Sequence, residues 1–266
     1  MRSHLFPIIA LLALSASGGA EAKKPQSLDD FIKSLGFEPF HPPRTADGLG
    51  AVISFDRKGR ESIESQPGGC LDPVSAGALP NNDPVAVAAL DYKVTTGNKF
   101  GATVAGDAVA KAIGVSEFDA SAAIGTDRVS AISVKLTKPY RNRLVRANAM
   151  TQVRTKAKDL TCAAVLASKK NLIIQSILGA QSISYTFTDN GGRQINLTLK
   201  LLKALGLSAD MQKKYEGKGS LDIAGNVLLG YNAWQASTLA GLETSASSLI
   251  EVSPKNIERL RADAMK

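Results

Sequence analysis

Apolar residues recur at every second position through the middle of this chain, and that alternation constrains the fold more than any other feature. Leu90, Tyr92 and Val94 fall on one side of an extended segment, and Phe100, Ala102 and Val104 repeat the pattern after Thr96-Gly97-Asn98. Phe118, Ala120, Ala122 and Ile124 alternate with polar or small residues, as do Ile132, Val134 and Leu136. Alternate side chains of a strand point to opposite faces, so these segments predict half-buried strands with one wet face.

A hairpin is predicted across 182–199, where Ile183, Tyr185 and Phe187 answer Ile195, Leu197 and Leu199. A two-residue Asn190-Gly191 turn would set Phe187 opposite Gln194, mixing apolar and polar side chains on one face. The three-residue loop Asn190-Gly191-Gly192 instead pairs Phe187 with Ile195 and Tyr185 with Leu197. A slip of one residue reverses every side chain, so the three-residue loop with a left-handed glycine is expected.

Helices are few. Ser27 caps a short helix with Leu28, Phe31, Ile32 and Leu35 on one face and Gly36 as its stop. Pro39, Pro42 and Pro43 then predict an extended connector. Two short strands are expected around Asp56-Arg57-Lys58-Gly59 and a Pro/Gly/Asn-rich loop over 66–84. A small-residue helix is expected at 107–113. A Leu-rich helix ends at Gly206, Ser208 caps a further turn, and a strand pair fills 220–234. Ser253-Pro254 begins an amphipathic helix with Ile257, Leu260 and Ala264 on one side. Hydrophobic residues at 44% and charged residues at 21% are a globular balance. These elements predict a single α+β domain, a mostly antiparallel sheet with a few inserted helices.

Residues 1–22 have the form of a signal peptide. Arg2 and His4 precede an apolar run at 5–14 that is too short to span a bilayer, and Ala20-Glu21-Ala22 supplies a cleavage site. No cysteine lies near it to carry a lipid anchor. The expected organisation is therefore a signal peptide at 1–22, the α+β domain at 23–235, and a linker with a short C-terminal helix at 236–266. Export to the periplasm or medium would expose Cys70 and Cys162, the chain's two cysteines, to oxidising conditions. A disulfide between them is expected, stabilising by up to ~4.5 kcal/mol in the chain-entropy model.

Recognisable catalytic patterns are missing. His41, the one histidine beyond residue 22, sits in the proline-rich connector, and there is no G-x-S-x-G elbow or Ser-x-x-Lys pair. No metal-ligand spacing and no glycine-rich phosphate cradle occurs; Gly217-Lys218-Gly219 reads as a loop before a strand. No cofactor, metal site or catalytic residue is assigned. A carboxylate-pair hydrolase stays open, with Asp119 and Asp222 as strand carboxylates of the required kind, although solvent-facing strand positions explain both.

The charge distribution is the anomaly. Arg128, Lys135, Lys138, Arg141, Arg143, Arg146, Arg154, Lys156 and Lys158 fall within one acid-free stretch, while the whole chain carries a net charge of only +8. These nine cations are the candidate binding residues, first on a strand and then, past Pro139, on a helix whose apolar stripe is Ala149, Met150, Val153, Ala157, Leu160 and Ala164. Their partner would be anionic lipid, polysaccharide or acidic protein. Tyr140 is the only aromatic among them, which argues against nucleic acid. A solvated helix face is the competing structural explanation.

The order of elements from about residue 100 to 234 resembles the bacterial gasdermin pore-forming domain. The matching pieces are small-residue strands, the basic strand-to-helix passage, the β-rich stretch at 171–188, and Tyr215-Glu216-Gly217 leading into 221–234. Membership would imply cleavage of a C-terminal peptide, membrane insertion and oligomeric pores. The family's lipidated cysteine near the N-terminus has no counterpart here, and no functional residue is carried over. Three functions follow from the sequence: an exported non-enzymatic binding protein acting through its basic segment, a gasdermin-like membrane-perturbing protein, and a carboxylate-dependent hydrolase.

Overall fold

A computed structural model describes residues 27–45, 48–77, 83–84, 90–93, 130–156, 158–189, 191–204, 209–236 and 248–266. The expected strands around Phe100 and Phe118 and the expected helix at 107–113 lie outside the described residues. Two long antiparallel strands, β7 (Leu172–Thr188) and β8 (Ser220–Ala236), each of 17 residues, form the spine of one sheet. β6 (Ala131–Arg143) takes most of the other edge of β7, from Ala131↔Thr188 to Arg143↔Ser176. β2 (Val52–Phe55) takes the remainder, and β3 (Glu61–Ser65) pairs outside β2. β1 (Glu38–Arg44) and β9 (Leu249–Val252) share the far edge of β8. The short strands β4 (Asp83–Pro84) and β5 (Leu90–Lys93) pair with β6. Every pairing among the described residues is antiparallel, and the architecture is α+β.

The burial of β7 explains its composition. Its first half is covered on both faces and is a nearly continuous apolar run, whereas its second half alternates between buried and half-buried positions. Register shifts near residues 175, 178 and 181 re-aim the strand along its length. Two apolar clusters result, on opposite faces at opposite ends of the sheet. Leu178, Ala180, Ile183, Tyr185 and Phe187 face the first, which is covered by α1 (Leu28–Ser34), α4 (Leu199–Ala204) and α5 (Ala209–Tyr215). Ile177 and Tyr140 face the second, which is covered by α2 (Arg146–Lys156), α3 (Leu160–Ala167) and α6 (Pro254–Ala264). Gly179 makes this possible: a Cβ there would lie 2.6 Å from the Tyr140 ring, which packs directly on the backbone.

Several local expectations are met. Ser27 Oγ accepts from the Asp30 amide, Gly36 is left-handed at φ +80°, and Ser253 caps α6 with Ile257 fully buried. Cys70 and Cys162 are disulfide-bonded, with Cα atoms 5.3 Å apart. The bond pins the loop after β3 to α3.

Other expectations are corrected. The proline-rich connector is the strand β1, tolerated because an edge strand need not donate every amide. The loop at 190–192 has the expected register, with Thr188 opposite Gln194 and Gly192 left-handed at φ +75°. Its return strand does not form: Tyr185 pairs with Val134 and Leu221 rather than Leu197, because β6 and β8 already occupy both edges of β7. The strand pair at 220–234 is the single strand β8; Gly225 and Asn226, both at positive φ, accommodate a bulge opposite Gln181 instead of a turn. The expected single helix after Pro139 is also two helices. β6 runs on through Pro139, and Asp159 accepts from the Thr161 and Cys162 amides to start α3 afresh.

Candidate functional site

The fold divides the basic segment instead of presenting it on one face. Val134 faces the first cluster, so Lys135 points the other way, onto a wet face shared with Ser133, Thr137, Ser182, Ser184 and Thr186. Lys138 adopts φ +44°, and past it the faces of β6 exchange: Tyr140 lies in the second cluster, while Arg141 lies 5.5 Å from the Phe37 ring on the first-cluster side. Arg143 is exposed and shares the side of Arg141 by alternation. Arg146 is spent structurally, its Nη2 donating to the Leu249 carbonyl at 2.6 Å and so tying α2 to β9. Arg128 lies outside the described residues.

Arg154, Lys156 and Lys158 remain together where α2 turns into α3. Arg154 and Lys158 are exposed, Lys156 is half-buried, and none forms an ion pair with a described residue. Asp72, on the loop that the disulfide staples to this corner, is held below its ordinary value mainly by hydrogen bonds from Ser75, with the Lys156 charge adding a little. Gln152 locks that loop against α2: its Oε1 accepts from the Asp72 amide at 2.8 Å and its Nε2 donates to the Asp72 carbonyl at 3.0 Å. Two aliphatic side chains of the corner are left in water, Val74 at 82% exposure and Leu160 at 88%. The sequence pattern assigned Leu160 to an apolar helical stripe; the Asp159 cap restarts the helix and turns it outward. Asp159-Leu160 was the available signal, since an aspartate directly before an apolar turn is a capping residue.

A buried ion cluster was not foreseen. Arg261 of α6 donates to Glu38 Oε1 at 2.5 Å and to Glu61 Oε1 at 2.8 Å, and both carboxylates are buried. Arg44 Nη2 donates to the Glu61 carbonyl at 2.6 Å and lies 3.5 Å from its carboxylate. Burial pushes the Glu38 carboxyl up, against the opposing pull of Arg261. Burial also raises the Tyr231 phenol well above its ordinary value, with Glu61 adding to the effect. With its acids closed to solvent, this cluster fastens α6 to β1 and β3.

An open cleft of about 970 Å³ lies between the β2–β3 turn, α3 and α6, with Phe55, Val165 and Leu260 among its lining residues. Asp56, Glu64 and Asp263 reach it. Burial is the largest single influence on Asp56 and pushes it up, but the hydrogen bonds from Arg60 and the Lys58 amide together hold it below its ordinary value. The Lys266 hydrogen bond lowers Asp263 likewise. A general acid needs the opposite shift. Asp222 is an exposed residue of β8 in register with Ser184, and Asp119 lies outside the described residues. His41 Nε2 stands 3.0 Å from the Asp29 carboxylate, and both cysteines are consumed by the disulfide. Among the described residues no group of three or more His, Cys, Asp or Glu is placed to hold a metal ion, and no helix is long and apolar enough to cross a membrane.

These features define an α+β protein whose described strands form one antiparallel sheet, with a disulfide-stapled corner that carries Arg154, Lys156 and Lys158 beside Asp72 and Asp159. Among solved structures it is similar to a bacterial gasdermin from Bradyrhizobium tropiciagri, at 15% sequence identity and a TM-score of 0.43, covering 84% of this chain and 88% of that one. The resemblance is weak. No family model matches the chain, and no curated protein matches it.

Proposed function

We propose that this chain is an exported, non-enzymatic binding protein that engages an acidic partner through the α2–α3 corner, with Arg154, Lys156 and Lys158 as the contacts. The supporting observation is that these three cations share one corner and form no close ion pair with a described residue, Lys156 acting on Asp72 only at longer range. Lys135, Arg141 and Arg146, by contrast, are dispersed to a sheet face, a ring and a backbone carbonyl. Counterion release on meeting a polyanion would drive such binding and make it salt-dependent. In the same reading residues 1–22 are a signal peptide removed on export, which suits the oxidised Cys70–Cys162 pair.

Retention on immobilised dextran sulfate tests the contact. The variant Arg154→Gln/Lys156→Gln/Lys158→Gln should elute at much lower salt than the wild type, and Lys135→Gln should elute close to it. Equal retention of the triple variant and the wild type would overturn the assignment.

One observation favours a second reading, that of a membrane-perturbing protein. β6, β7 and β8 have 13, 17 and 17 residues, longer than the ~9–11 a transmembrane strand needs. Over their paired ends, one face is apolar and the other carries Ser133, Thr137, Ser182, Ser184 and Thr186. That is the alternation of a lipid-facing and a lumen-facing surface. Dye release from anionic vesicles, by intact chain and by chain cut within 237–247, in oxidising and reducing buffer, decides it. No leakage under any condition removes this reading.

A further inference from the structure

We infer that the acidic partner of the α2–α3 corner is an anionic lipid bilayer, into whose interface Leu160 and Val74 insert while Arg154, Lys156 and Lys158 meet the headgroups. The inference rests on the binding role proposed above and names the surface it serves. Of the large apolar side chains exposed among the described residues, Leu160 at 88% and Val74 at 82% are the two most exposed. Both belong to this corner. Leu160 follows the Asp159 cap two residues before Cys162, and Val74 lies four residues past Cys70, so the disulfide holds both segments together at a Cα separation of 5.3 Å. By chain reach the Cα atoms of the two residues stand within roughly 27 Å of one another, one contact footprint on a membrane.

A third exposed apolar group lies at the N-terminal end of α2, where the same loop meets it. Gly77 packs against Val145, which is 38% exposed, and the Val145 amide donates to the Ala76 carbonyl at 3.1 Å. A polysaccharide or an acidic protein surface would be matched by the cations alone. The exposed aliphatic groups beside them are matched by a medium that is anionic at its surface and apolar a few ångströms below. Peripheral membrane elements combine these two attractions. The disulfide and the Gln152–Asp72 hydrogen bonds keep the corner pre-formed, so little order has to be created on contact.

Flotation of the full-length oxidised protein with vesicles tests this. Wild type should float with phosphatidylcholine vesicles containing phosphatidylglycerol and not with pure phosphatidylcholine. The Val74→Ser/Leu160→Ser variant should lose roughly tenfold in vesicle affinity while keeping its retention on dextran sulfate. Ile250→Ser, at an exposed site on β9, should float like the wild type. Leu160→Trp gives a separate readout, a blue shift of emission on adding anionic vesicles, since the one native tryptophan, Trp234, is already buried. Binding to dextran sulfate without flotation, flotation indifferent to the Val74/Leu160 pair, or no shift from Leu160→Trp overturns the bilayer inference and leaves the acidic-partner reading standing. Absence of binding to both vesicles and dextran sulfate overturns the two together.

Discussion

Arg261 answers two buried carboxylates with a single guanidinium, and the consequence is testable. Replacing it by Met would leave Glu61 buried with Arg44 and Glu38 buried with only the more distant Lys33 charge, and breaking a buried ion pair this way costs about 3–5 kcal/mol. The sign of its pH dependence follows from the carboxyls. Burial already holds Glu38 above its ordinary value, so its charge costs stability at neutral pH and that cost disappears as pH falls through its folded pKa. Urea unfolding of Arg261→Met should therefore show a deficit relative to wild type that is full near neutrality and shrinks as pH falls through the raised folded pKa of Glu38. A deficit independent of pH would place the loss in packing, including the guanidinium's contact 5.0 Å over the Phe55 ring. Gly179 is the second residue with a defined price. Gly179→Ala forces a Cβ into the Tyr140 ring and should cost about 1–3 kcal/mol in thermal unfolding. Most of that cost should vanish in the background of Tyr140→Ala, and strict additivity in this double-mutant cycle would contradict the contact.

Among the elements, those with local signals were legible in the sequence. The caps at Ser27 and Ser253, the two short strands around Asp56, and the register of the 190–192 loop are all set by residues within a few positions of one another. What the sequence left hidden depends on distant partners. Residues 195–199 carry a strand pattern, yet β6 and β8 occupy both edges of β7; β9 has a four-residue pattern that means nothing without the edge of β8 to receive it. The placement of the basic segment was hidden for a related reason. Net charge is read along the chain, whereas the faces of β6 exchange near Lys138 and scatter those charges. The Cys70–Cys162 element was legible because only two cysteines exist to be paired. Cys70→Ser/Cys162→Ser should lower stability by about 2–5 kcal/mol, and limited proteolysis should then cut first within residues 66–77. Denaturant titration and the mass of the first fragment check both, and an unchanged cleavage pattern would show that Gln152 alone holds the loop.

At the scale of the whole molecule, the question is whether the C-terminal elements are an appendage or part of the fold. Three contacts answer alike. β9 pairs with β8 from Ala233↔Val252 to Ala236↔Leu249, Ile257 is fully buried in the second cluster, and Arg261 neutralises carboxylates on β1 and β3. Removing residues 249–266 would uncover apolar side chains of that cluster and leave Glu38 and Glu61 without their principal partner. Each loss alone is a few kcal/mol, and together they approach the total stability of an ordinary domain, about 5–15 kcal/mol. A chain ending at residue 236 should therefore lose its cooperative thermal transition or aggregate. A chain cut within 237–247 with both pieces present should keep the transition, because the contacts survive the cut. Adding the 248–266 peptide to the shortened chain should restore part of the transition in a concentration-dependent way. A shortened chain that melts cooperatively near the wild-type temperature would mean that the sheet and the first cluster carry the fold unaided. The C-terminal strand and helix would then be free to leave without unfolding the rest, which is the behaviour the membrane-perturbing reading requires of them.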